Sequence, residues 1–147
     1  MPLTSLARQT RLHIHYQPHN MIRQISPINL SLSRIVARCI QATTHNCYRN
    51  AHLATHLLNA HYLEGWALPP HGQPVEHGWL EWRNQLIDPT FIGWGYFPTY
   101  RFNLIELNQV LDRTQRQLPW HWFNSTQANQ HQTNYQAALT QHNRYRV

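Results

Sequence analysis

The sequence predicts an α+β domain in which a helix opening on a cysteine packs against a small antiparallel sheet. Three observations predict it. Two stretches of helical apolar spacing lie between residues 26 and 59, three β-type segments follow between 62 and 88, and Asn103 caps a further helix. The size agrees, since 147 residues and 17.5 kDa suit a single domain. A hydrophobic share of 41%, with six Trp and seven Tyr, is enough to bury a core.

Each element has a local cause. Residues 1–25 read as an arm, in which Arg11–Tyr16 alternates like a short strand and Pro18 ends it. Ser26-Pro27 resembles an N-cap followed by proline at the first helical position. From there Ile28, Leu32, Ile35, Val36, Cys39 and Ile40 form one apolar face, predicting a helix over 27–41 with Ser31, Arg34, Arg38 and Gln41 opposite. Thr43 to Asn46 supply caps for a second helix, about 47–59, whose narrow face is Ala51, Ala54, Leu57 and Leu58. Strands are expected at 62–68 and 75–82, separated by the Pro/Gly loop 69–74. Arg83-Asn84 makes a two-residue turn into a third strand, 85–88, which Pro89 ends. Residues 91–102 read as loop plus strand, and Leu104, Leu107, Val110 and Leu111 line the helix after Asn103. Trp120–Phe123 reads as an aromatic plug. Residues 124–147 read as a polar tail with a short helix near 133–142, leaving 26–123 as the catalytic body.

Charge and hydropathy narrow the function classes. Apolar runs of four residues or fewer exclude a transmembrane helix. The acid-free, Arg-containing start weakly resembles a transit peptide and lacks the apolar run of a secretory signal. Two cysteines, Cys39 and Cys47, cannot build a disulfide scaffold, so a reducing, cytoplasmic setting is expected. All twelve basic residues are Arg, and the six acids all lie between 64 and 112. The net charge of +6 is therefore concentrated at the two ends, a pattern that suits a solvated face or an anionic partner such as nucleic acid.

Three short pieces carry the chemistry: Cys47 at a helix start, His77-Gly78-Trp79 on a strand, and Asp88-Pro89-Thr90 on the next. A helix N-terminus offers unpaired N–H groups and partial positive charge, which favour a thiolate nucleophile. His77 shares a strand face with Trp79 and Glu81. The two-residue turn pairs Glu81 with Leu86 and Trp79 with Asp88, placing Asp88 diagonal to His77 at roughly 7–8 Å between Cα atoms. A bond from Asp88 would orient the imidazole and leave its other nitrogen for the thiol. Alone, Cys47 would read equally as a buried small hydrophobe, the role expected of Cys39.

This order resembles the transglutaminase-like superfamily of cysteine enzymes, and more distantly the papain-like peptidases. The resemblance covers about residues 40–92, with His77-Gly78-Trp79 standing for a His-Ala-Trp-like strand and Asp88-Pro89-Thr90 for an Asp-Pro-Thr-like segment. The 29 residues between Cys47 and His77 make it a compact version. It implies a Cys47–His77–Asp88 triad and a peptidase or amidase working through a thioester, or an amine acyltransferase. The expected substrate is a peptide or protein, and no cofactor is implied. Gln41, six residues before Cys47, matches the papain-like spacing of an oxyanion donor, though a polar helix end would look the same. Asn46, Glu64 and Trp79 are the further candidates for substrate or oxyanion contacts. His52 and His56 stand at metal-ligand spacing with His45 or His61, but no carboxylate or cysteine accompanies them, so no metal is expected. His13 and His15 are read the same way. The rival class is an inactive basic binding module, with nucleic acid as its partner.

Overall fold

The computed structural model describes residues 23–24, 28–124 and 126–144. In chain order these form β1 (Arg23–Gln24), α1 (Leu30–Cys39), α2 (Cys47–Leu58), β2 (His61–Leu68), β3 (Val75–Trp82), β4 (Gln85–Ile87), β5 (Gly95–Phe102), α3 (Leu104–Arg113), a 3-10 turn (Trp120–Trp122) and α4 (Ala128–Arg144). The result is an α+β architecture. Its antiparallel sheet has the order β5-β2-β3-β4, with the two-residue β1 added beside β5. No helix among the described residues is long and apolar enough to cross a membrane. The proposed strand at 11–16 and the paired His13 and His15 lie outside the described residues, as do Ser26 and Pro27.

The helix expected from residue 27 begins at Leu30 instead. Asn29 is its N-cap, accepting a bond from Leu32 N at 2.9 Å. The chain is extended before it because Asn29 N donates to Leu86 O at 3.0 Å, tying this segment to β4. Only one stripe of α1 packs inward: Val36 is buried, with Leu32 and Ile40 against it. Ile35 and Cys39 are exposed, so the expectation that Cys39 belongs to the core is corrected. The buried stripe is narrow, with Ser33 beside Val36, so Ile35 and Cys39 fall on its solvent side.

The β3–β4 hairpin has the expected register, with Glu81 opposite Leu86 and Leu80 opposite Ile87. Arg83 and Asn84 both take positive φ (50° and 60°), the backbone a two-residue hairpin needs. The Arg83 guanidinium sits 4.3 Å from the Trp82 ring centroid. Pairing between β3 and β4 stops at Leu80–Ile87, so the Asp88–Phe91 segment turns away beside His77.

Tyr62, Glu64, Trp66 and Leu68 alternate onto one face of β2. Ala51 of α2, Leu107, Val110 and Leu111 of α3, and Trp120 pack there around Tyr62, Tyr100 and Phe102. The opposite face buries Leu63, Ala67, Trp79, Leu86 and Tyr96 under Ile28 and Phe91. Gly65 marks a register shift against β5: a Cβ there would stand 2.2 Å from Phe97 O, with Thr99 N and Pro98 Cα also within 3 Å. Close backbone approach excludes any side chain at this position.

The segment 124–147, expected as a polar tail with a short helix near 133–142, contains a longer helix there, the 17-residue α4, docked on β5 and β2. Its attachment is largely polar, which explains why apolar spacing missed its full length and its docking. Trp66 Nε1 donates to His131 O at 2.9 Å, and Asn134 Nδ2 donates to Pro98 O and Thr99 Oγ1 at 3.1 Å each. Ala138 alone is fully buried against Leu68 and Phe97. The aromatic plug is real for Trp120 only, since Trp122 and Phe123 are exposed.

Candidate active site

Cys47 is the first residue of α2 and is half-buried. Asn46 is the N-cap residue, yet its side chain makes no capping bond; Nδ2 donates instead to Thr43 Oγ1 at 2.7 Å. The first backbone N–H groups of α2, Cys47 among them, have no partner within the helix. They point at whatever approaches the helix start.

Asn50, one turn on and fully buried, holds this start in place. Its side chain donates to Thr43 O at 2.8 Å and to Thr90 Oγ1 at 3.0 Å, and accepts from Thr43 N at 3.3 Å. One amide thereby joins the loop before α2 to the Asp88-Pro89-Thr90 segment. Tyr48 lies across β3 at Gly78, where a Cβ would stand 2.9 Å from its ring. Burial raises the Tyr48 phenol, and the neighbouring Cys47, Glu64 and Glu76 raise it further.

His77 Nε2 donates to Asp88 Oδ2 at 2.7 Å, and both side chains are buried. Burial disfavours the charged ring, but the Asp88 carboxylate and then Cys47, through hydrogen bonding and charge, outweigh it and push His77 up to about 9. Cys47 is thus among the groups that bear on the charge of the imidazole. The ring is fixed between aromatics, with centroids 4.2 Å from Phe91 and 6.1 Å from Trp79. Asp88 is fixed as firmly. Oδ2 also accepts from Tyr96 OH at 2.9 Å, Oδ1 accepts from Thr90 N at 3.1 Å and Phe91 N at 3.4 Å, and Asp88 N donates to Ser33 Oγ at 3.1 Å. Sequence reading assigned no role to Tyr48 and Asn50, which flank Cys47 in its segment, and missed Tyr96, Phe91 and Ser33, which lie outside the three short pieces.

The remaining candidates have other work. Gln41 is exposed, with φ 53°, and ends α1: Gln41 N bonds Arg38 O at 3.1 Å and Ala42 N bonds Ala37 O at 2.8 Å. That is a Schellman stop, so the helix-end alternative is the one observed. Glu64 does not line a cleft. It is fully buried because the 3-10 turn covers its strand face, and its carboxylate accepts Tyr62 OH, Trp120 N and His121 N at 2.7, 2.9 and 2.9 Å. Trp79 is fully buried in the core beneath His77 and touches no open surface. His52 and His56 contact each other edge-to-face at 4.9 Å.

The His77–Asp88 pair makes stability depend on pH. The folded value of about 9 lies above the ordinary 6.5, so the stabilisation is complete below 6.5 and is lost as pH rises through 9. Urea midpoints are expected to fall over that range, and to fall less in Asp88→Asn. Equal alkaline losses in the two proteins would show that this pair is not their source. Comparison of the chain with protein-family models, with characterised proteins and with solved structures finds no match.

Proposed function

We propose that this chain is a cysteine-dependent acyl-transfer enzyme, a peptidase or amidase acting on a peptide or protein amide. The observation that carries the reading is the buried His77–Asp88 hydrogen bond of 2.7 Å, set beside a cysteine that opens a helix. Cys47 Sγ attacks the amide carbonyl as the thiolate, its proton held on His77. The carbonyl π electrons move to oxygen, and backbone N–H groups at the start of α2 hold that negative charge. The tetrahedral adduct collapses, His77 gives the proton to the departing amine, and a thioester remains on Cys47. Water then attacks the thioester, His77 takes its proton, and the acid leaves. Asp88 keeps the imidazole in one tautomer and one orientation throughout. An amine in place of water would give transamidation by the same steps.

Competition between the two free thiols tests this reading. Cys39 is exposed and Cys47 half-buried, so accessibility alone favours Cys39. Limiting iodoacetamide at mildly acidic pH, followed by peptide mass spectrometry, is expected to modify Cys47 first. Preferential labelling of Cys39 would remove the basis for a nucleophile.

A further inference from the structure

Glu76 of β3, His121 of the 3-10 turn and His131 of α4 bring their ligand-type atoms within 4.8 Å of one another. Glu76 Oε1 stands 3.2 Å from His121 Nε2 and 3.2 Å from His131 Nε2. A tetrahedral zinc ion at about 2.0–2.1 Å from nitrogen and oxygen donors separates neighbouring donors by roughly 3.3 Å. Two edges of such a tetrahedron are already set.

The other nitrogen of each ring also has a neighbour of the kind that orients metal-bound histidine. His121 Nδ1 lies 3.4 Å from Oε1 of the buried Glu64, and His131 Nδ1 bonds Thr99 Oγ1 at 2.7 Å. Both ring nitrogens of His121 are buried, and neither makes an aligned hydrogen bond, although a carboxylate stands at ion-pair distance from each. The two rings stack at 4.4 Å, so both present Nε2 toward Glu76. Two carboxylates, Glu64 and Glu76, thus stand against the two imidazoles, a set of donors that suits a cation. Imidazole nitrogen with carboxylate oxygen suits zinc, whereas calcium and magnesium take oxygen-only sets.

We propose that Glu76, His121 and His131 form a zinc(II)-binding site, with Glu64 and Thr99 orienting the two rings. Three protein ligands leave a fourth position for water. The ion cross-links β3, the 3-10 turn and α4. The proposal is independent of the acyl-transfer reading.

Calorimetric titration of the full-length Cys39→Ala/Cys47→Ala chain with zinc, alongside cobalt(II) absorption spectra, tests it with both thiols removed as competing ligands. Expected are one tight equivalent, a raised Tm, and tetrahedral cobalt bands without a thiolate charge-transfer band. Glu76→Gln and His131→Gln are expected to weaken zinc by at least about 100-fold. Thr99→Val, which spares all three ligands, is expected to weaken it by about 10–100-fold. The double variant His52→Gln/His56→Gln is expected to bind like its parent, which excludes casual chelation by the other histidine pair. The proposal is overturned if no tight equivalent is found. It is equally overturned if Glu76→Gln and Thr99→Val bind unchanged, or if binding disappears with His52 and His56. Should Glu76→Gln fail to fold, Thr99→Val and the cobalt spectrum decide.

Discussion

If the proposed acyl transfer holds, Cys47→Ala and His77→Ala are each expected to lower acylation turnover by about 10⁶, and Asp88→Asn by about 10⁴, the losses typical of nucleophile–base–acid sites. Release of p-nitrophenol from activated esters and of aniline from peptide anilides would report it. The residues act as a unit, so the Cys47→Ala/His77→Ala double variant should be no slower than Cys47→Ala alone. Asp88→Asn is the sharpest of these tests. Tyr96 OH and His77 Nε2 both donate to Oδ2, and an asparagine amide placed there would face two donors. The alternative placement sets that amide against the Thr90 and Phe91 N–H groups. The first placement takes the acceptor from the imidazole, and the second keeps an oxygen for Nε2 but strands two backbone donors. Both remove the negative charge that orients the ring while the site keeps its shape. Unchanged turnover in Asp88→Asn would end the triad reading.

Replacing Glu64 should give the largest loss of stability, about 3–5 kcal/mol for Glu64→Leu, as expected when one side of a buried charged network is removed. Three donors, Tyr62 OH, Trp120 N and His121 N, converge on this fully buried carboxylate. The leucine would leave all three unpaired, at about 1–3 kcal/mol for each buried polar group stranded. Glu64→Gln keeps the volume but must turn its NH₂ toward at least one backbone N–H, so it should recover only part of the loss. Urea unfolding gives both values. A loss under about 1 kcal/mol in Glu64→Leu would mean that the 3-10 turn is held by packing of Trp120 alone, given total stabilities of roughly 5–15 kcal/mol.

These two sites differ in how far they could be read beforehand. Cys47, His77 and Asp88 sit in short segments whose geometry is local: a helix start, a strand alternation and a two-residue turn. Period and register bring Asp88 toward His77, and the observed pairing of Glu81 with Leu86 is the one that turn predicts, although the expected Trp79–Asp88 pair is not formed because β4 ends at Ile87. Glu64 is equally visible as a strand residue, but its role depends on what covers the strand. The 3-10 turn that covers it lies 56 positions away, and no local pattern announces it.

By itself the sequence determined the order of helices and strands, the start of α2 and the shared face of His77 and Asp88, because apolar period and turn length act within a few residues. Only the tertiary structure decided which stripe of α1 is buried, leaving Cys39 exposed, and that Gln41 ends a helix. It alone extended the C-terminal helix to the full length of α4, docked it on the sheet and brought Glu76 to His131, 55 positions apart. The physical reason is the same in each case. Local preference sets which residues share a face, whereas burial, ion pairs and candidate ligand sets are fixed by which faces meet.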